Sequence, residues 1–217
     1  MEIRPASDSS LLVSFGGTIT LEAHQHVLQL MHAFAELPWG IRNLHPAYAS
    51  VLIDFDPRLR SRMEIESLVR QKLAAPDEPR KLEGRLMEIP VCYGGAHGPD
   101  LEDVARHTGL STAEVIERHG SVEYRVYFLG FSPGFPYLGG MPPELATPRL
   151  PAPRKRVPAG SVAIGGAQTG IYSVESPGGW RLIGRTALPL FDAAKNPPAL
   201  LQMGDRVRFV AVEEFPR

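Results

Sequence analysis

Beyond residue 120 the sequence never sustains a helical period. Five strand-like runs follow one another there, VEYRVYFL, GSVAIGG, GIYSVES, WRLIGRT and DRVRFVAV, with glycine and proline between them. Short apolar runs at that spacing, punctuated by turn residues, predict an antiparallel barrel or sandwich. The 21 glycines and 21 prolines of the 217-residue chain argue the same way, because a helical bundle tolerates few of either.

Upstream, strand and helix patterns alternate. LLVSF (11–15) reads as a strand, and residues 20–37 place Val27, Leu30, Met31 and Phe34 at helical spacing. Residues 41–56 read as two strands broken near His45-Pro46, with Val51, Ile53 and Phe55 on one face. A second helix over 61–73 opens on Ser61 and Glu64 in capping-box spacing and buries Ile65, Leu68, Val69 and Leu73. This β-α-β-β-α order predicts a small ferredoxin-like sandwich over residues 1–80. The polar, proline-bearing stretch AAPDEPRKLEG (74–84) predicts a linker. A second domain over 85–217 then opens with the strand RLMEIPVCY (85–93). Two short helices follow it. Asp100 is the expected N-cap and Gly109 the stop of the first, Ser111 and Glu114 the capping box and Gly120 the C′ residue of the second. The fold class is α+β, with a barrel as its second half.

Composition excludes several functions. A formal net charge of −1 offers no electrostatic footprint for nucleic acid. No apolar stretch reaches membrane-spanning length, and the first residues lack the basic and apolar regions of a secretory leader. The single cysteine, Cys92, suits a reducing compartment and reads as a small core residue. A cytoplasmic protein is expected. The chain has no phosphate-binding G-x-x-x-x-G-K-[ST] run, no G-x-S-x-G elbow and no H-E-x-x-H pair, so no metal is expected. GGAHGP (94–99) and GGAQTG (165–170) read as turns, and the seven histidines as solvated or capping residues.

Three segments remain to carry chemistry. FSPGFPYLGG (131–140) is uncharged and aromatic, and its Pro133 and Pro136 argue for a rigid loop rather than a strand. Residues 147–166 hold Arg149, Arg154, Lys155 and Arg156 in a proline-stiffened stretch, suited either to a carboxylate or phosphate or to plain solvation. SPGGWRLIGRT (176–186) delivers Trp180 after a tight turn and Arg185 after a glycine, as a pocket wall or a hairpin with an aromatic plug.

Taken together, FSPGFPYLGGM (131–141), PRLPAPRKRVPAGSVAIGGAQTGIY (148–172) and SPGGWRLIGRT (176–186) resemble the family of 5-oxoprolinase B subunits, also labelled allophanate hydrolase subunit 1 or kinase A inhibitor-like. The run EIPVCYGGAHGPDL (88–101) resembles the start of that family's barrel domain, and the resemblance covers essentially the whole chain. It implies a ferredoxin-like domain followed by a cyclophilin-like β-barrel. It also implies two partners, the biotin-dependent carboxylase-like C subunit and the A subunit of 5-oxoprolinase. With them, family members open 5-oxoproline to glutamate at the expense of ATP, which is expected to bind mainly on the partner subunits.

A lactam resists water, so phosphorylation of its oxygen followed by anion stabilisation is the expected use of ATP. On that basis Arg154, Arg185 and Gln168 are the catalytic candidates. Arg149, Ser161, Tyr172, Phe131, Phe135, Tyr137 and Trp180 are the substrate-binding ones. The resemblance leaves two rivals. One is a regulator that seizes a histidine kinase through the aromatic loop. The other is a component of an allophanate hydrolase or urea carboxylase system.

Overall fold

The computed structural model describes residues 1–74 and 84–214, and the expected linker at 74–84 falls almost wholly outside them. Two compact units divide the chain, Met1–Leu82 and Glu83–Arg217. Among the described residues no helix is long and apolar enough to cross a membrane.

The first unit runs β1 (Glu2–Ser7), β2 (Ser10–Ser14), α1 (Leu21–Ala33), β3 (Ile41–Pro46), β4 (Ser50–Phe55) and α2 (Arg62–Ala74). Its antiparallel sheet has the order β1-β2-β4-β3. Leu11, Val13, Val51, Ile53 and Phe55 of the sheet are buried, as are Val27, Leu30, Ile65 and Val69 of the helices and Phe34 at the C-cap of α1. Thr20 caps α1 by accepting the Ala23 N–H. At the start of α2, the Glu64 carboxylate takes the Ser61 N–H at 2.7 Å, while Ser61 Oγ takes the Glu64 N–H at 3.3 Å. β1 was not expected from the sequence. All but one of its residues are exposed, so this edge strand carries no apolar alternation to read.

The second unit contains β5 (Leu86–Tyr93), α3 (Leu101–Thr108), α4 (Thr112–Gly120), β6 (Tyr124–Leu129), β7 (Pro136–Gly139), β8 (Arg154–Val157), β9 (Ser161–Gly165), β10 (Gln168–Ile171), β11 (Ser176–Gly178), β12 (Arg181–Arg185) and β13 (Arg206–Ala211). Seven of these strands close a barrel in the order β10-β7-β6-β13-β5-β12-β9, and β8 and β11 form a separate two-stranded sheet. The barrel is antiparallel except at β5 and β13, which pair in parallel. No hairpin links these two strands, so turn geometry does not dictate their direction.

The barrel interior holds Ile89, Val91, Val126, Val162, Ile164, Ile183 and Phe209, and α3 and α4 close it with Leu101, Val104 and Val115. The loop expected at 131–140 ends in a strand after all. Pro136 is the first residue of β7, where its missing N–H costs least. Gly120 also differs from expectation. It lies within α4 rather than beyond it, and a Cβ there would stand 3.2 Å from the Phe209 carbonyl of β13.

Candidate functional site: an aromatic pocket outside the barrel

Successive side chains on a strand face opposite ways. In β9, Val162 and Ile164 point into the barrel core, while Ala163 belongs to a second cluster with Phe135, Val157, Tyr172, Trp180 and Leu182. In β12, Ile183 and Leu182 divide in the same way. This second cluster therefore lies on the outer face of the barrel.

Glycines let the rings reach the barrel wall. A Cβ at Gly165 would stand 2.5 Å from three atoms of the Trp180 indole, so the ring rests on bare backbone. A Cβ at Gly170 would stand 2.9 Å from the tip of Phe135. Phe135 is the hub of the cluster. It meets Tyr137, Tyr172, Phe131 and Trp180 edge to face, at centroid distances of 5.0, 5.3, 5.5 and 5.6 Å. Such geometry sets the positive edge of one ring against the negative face of the next.

Above the hub the chain is held against its preference. Phe131 has φ = 65° and is 62% exposed, a combination rare for a bulky side chain. The Ser132 N–H donates to the Gly130 carbonyl at 2.7 Å across it, which makes a strained γ-turn. The turn is braced by Gly130 N–H to Phe135 O at 3.1 Å and by Ser173 Oγ–H to Pro133 O at 2.6 Å. The surrounding bonds thus fix an aromatic ring at the lip of a hollow, and backbone strain held this way clusters at functional sites.

The hollow has a volume of about 170 Å³. Phe131, Phe135, Tyr137, Tyr172 and Trp180 line it, with Arg149 and the backbone of Gly178 and Gly179. The Leu150 N–H donates to the Gly179 carbonyl at 2.7 Å and pins the proline-rich strap over the turn that delivers Trp180. The Arg149 guanidinium carbon then lies 5.6 Å from the Trp180 ring centroid, within cation–π range. Burial raises the pKa of both Tyr137 and Tyr172, so their phenols stay protonated near neutrality.

Six of the ten candidate residues therefore meet in one place, from segments far apart in sequence. The other four do not line the hollow. Arg154 is paired with Asp100 at 2.7 Å. The Asp100 carboxylate also accepts the Leu182 N–H at 2.7 Å, and it makes no side-chain cap on α3. Its sequence position suggested a cap, but the bond that uses it is tertiary. Arg185 donates through Nε to the Ala159 carbonyl at 2.9 Å. Its register partner is the buried Ser161, at the end of β9 away from Gly165. Gln168 starts β10 at the β9–β10 turn.

One chemically distinctive group escaped the sequence reading. His119, expected to be solvated or capping, is fully buried beneath the barrel. Tyr93 Oη–H donates to its Nδ1 at 2.8 Å. Its Nε2–H donates to Thr169 Oγ1 at 3.0 Å, and that hydroxyl donates onward to the Ala163 carbonyl at 3.0 Å. Burial pushes its pKa down to about 3, so the ring is neutral. A histidine in the last turn of a helix looks like a helix-end cation, and no local signal distinguishes this one. Among the described residues no group of His, Cys, Asp and Glu is gathered as a metal site.

Comparison with known proteins fits this architecture. The family described as carboxyltransferase domain, subdomain C and D, matches residues 1–201, and the chain belongs to it. Among its relatives, the 5-oxoprolinase B subunit of Bacillus subtilis is 43% identical, over 98% of this chain and 93% of that protein. The protein of the same name from Escherichia coli O157:H7 is 45% identical, over 95% and 94%. The crystal structure of TTHA0988 superposes with a TM-score of 0.84 at 40% identity and covers 98% of this chain, which spans only 41% of that longer protein. More distant matches, 27–29% identical, are a putative urea carboxylase and urea amidolyases of fungi.

Proposed function

We propose that this chain is the B subunit of a cytoplasmic, ATP-dependent 5-oxoprolinase that opens 5-oxoproline to L-glutamate together with the A and C subunits. The observation that carries the reading is near-full-length identity of 43% and 45% to two proteins named as 5-oxoprolinase B subunits. The urea-type reading rests on weaker and far more partial matches.

The site supports a non-autonomous role. The pocket lining contains no carboxylate, imidazole or thiol. This pocket thus supplies no general base, and we assign the base and most of the nucleotide contacts to the partner subunits. At about 170 Å³ the hollow is smaller than the roughly 300–1,000 Å³ of pockets that enclose drug-sized ligands, and a nucleotide does not fit it. In the assembled enzyme, the lactam oxygen takes the γ-phosphoryl group of ATP and ADP leaves. Water then adds at the activated carbon and the ring C–N bond breaks, leaving the glutamate side chain as an acyl phosphate. A second water hydrolyses that acyl phosphate, so that phosphate departs. This chain contributes a rigid, water-excluding wall and the positive charge of Arg149.

We read the N-terminal unit as a ferredoxin-like sandwich. β2, α1, β3, β4 and α2 supply the β-α-β-β-α core, and β1 fills the edge that the final strand of that pattern usually takes. The second unit is read as a cyclophilin-like barrel. The occurrence of the same fold within the longer TTHA0988 chain supports a partner that is in some proteins covalently attached.

The test is glutamate release from 5-oxoproline and ATP, with this chain added to or omitted from the purified A and C subunits. Release that requires the chain supports the proposal, and release unchanged by its omission refutes it. In the second case the exposed Phe131 ring becomes the surface to test against a histidine kinase.

A further inference from the structure

The pocket's charge and shape specify its ligand more narrowly than the proposed place in the complex does. Every other arginine of the strap and of β12 has a polar partner, although the Nη1 of Arg154 is buried without one. Arg154 pairs with Asp100, Arg156 holds Glu175 through two bonds of 3.0 Å, Arg181 pairs with Asp103, and Arg185 donates to a carbonyl. Arg149 differs. Among the described residues its guanidinium has no hydrogen bond or ion pair, only the face of Trp180. It stands exposed at the pocket wall with its bidentate fork unused.

We infer that this pocket binds a small flat ring bearing one carboxylate, with the carboxylate on Arg149 and the ring between Trp180 and the Phe131 lip. The oxoprolinase reading supplies only the choice of 5-oxoproline as the acid to try first.

Three observations exclude other ligands. An aromatic box alone would suit a quaternary ammonium, but the Arg149 guanidinium in the wall repels a cation. Inorganic phosphate, strongly hydrated and tetrahedral, would lose its water against five rings and gain a single arginine. A longer ligand meets the limit of about 170 Å³. A planar acid satisfies all three features. Its carboxylate matches the fork of Arg149, its ring faces match the aromatic walls, and the protonated phenol of Tyr172 offers a neutral donor for a ring carbonyl. The braced turn at Phe131 removes part of the ordering cost before the ligand arrives.

The experiment uses the full-length chain. It has two tryptophans, so Trp39→Phe leaves Trp180 as the only indole and its emission as a local reporter. This protein is titrated with 5-oxoproline, with pyrrole-2-carboxylate, with uncharged 2-pyrrolidinone and with inorganic phosphate. Saturable quenching is expected with the two acids. Arg149→Gln is expected to weaken their binding by roughly tenfold to a hundredfold, as for loss of a charged hydrogen bond, and to leave 2-pyrrolidinone unchanged. Arg149 is exposed, so the variant is expected to fold, and an unchanged circular dichroism melt verifies it.

Phosphate binding as tightly as the acids overturns the inference, because the site would then read charge alone. So does the absence of saturable quenching by either acid, or equal acid binding by Arg149→Gln. Arg149-dependent binding of pyrrole-2-carboxylate without any of 5-oxoproline upholds the pocket inference and sinks the choice of substrate. Glutamate release that requires this chain yet survives Arg149→Gln upholds the place in the complex and sinks 5-oxoproline as the acid this pocket holds for that reaction.

Discussion

His119 makes acid stability a direct readout of the barrel interior. In the unfolded chain an imidazole titrates near 6.5, whereas burial holds His119 neutral down to about pH 3. The unfolded state therefore takes up a proton that the folded state refuses. Stability from this group is complete above pH 6.5 and is lost as pH falls toward 3. Each unit of pH in that window costs about 1.36 kcal/mol, so the loss from neutrality to pH 5 is about 2 kcal/mol. This figure depends on the folded pKa lying well below 5, not on how far below.

The matched variant is His119→Gln, whose amide can accept from Tyr93 and donate to Thr169 in the same two directions without titrating. Urea unfolding of both proteins between pH 7.5 and pH 5 isolates the contribution, since all other groups are shared. The variant is expected to be less stable at pH 7.5, because the stacking of the imidazole on Phe209 at 4.5 Å is lost. Its stability is expected to fall by about 2 kcal/mol less over the same range. Parallel pH profiles would refute the reasoning, as would nitrogen NMR shifts showing a charged His119 ring at pH 5.

Gly165→Ala places a methyl group where the indole now rests, 2.5 Å from three of its atoms. The expected outcome is a red shift of Trp180 emission in the Trp39→Phe background and a loss of about 1–3 kcal/mol in urea unfolding. Phe135→Ala, at the buried hub, is expected to cost about 3–5 kcal/mol. Phe131→Gly relieves the positive φ and is expected to change stability by no more than about 1 kcal/mol, so equal losses in the two variants would contradict the strained turn. Asp100→Ala leaves Arg154 without its carboxylate and the Leu182 N–H without an acceptor. A loss of about 3 kcal/mol is expected, and a shift of less than about 1 kcal/mol would show the pair to be solvated.

The strap shows why the site was only half legible. Arg149, Arg154 and Arg185 are chemically equal as letters, and the sequence reading favoured the last two for catalysis. Their partners decide their roles. Asp100 precedes Arg154 by 54 residues, and Ala159 offers Arg185 only a backbone carbonyl. No spacing rule reaches contacts of that kind. Phe131, Phe135 and Tyr137 were conspicuous because an uncharged aromatic run with two prolines has no surface use. That the run also contains a barrel strand was hidden by Pro136, which is acceptable only because it comes first.

Local physics fixes what short-range patterns can encode. Capping boxes at Ser61 and Ser111, the left-handed stop at Gly109 and the strand-like runs of β9 and β12 are properties of a few neighbouring residues, and they were readable as such. Other outcomes depend on burial and on partners distant in the chain. These include the parallel closure of β5 on β13, the neutral His119, the seat of Arg149 over the Trp180 ring and the stack of Trp180 on Gly165. Each requires the barrel to close first, because only closure brings remote segments within van der Waals and hydrogen-bonding reach and removes the water that would otherwise satisfy them.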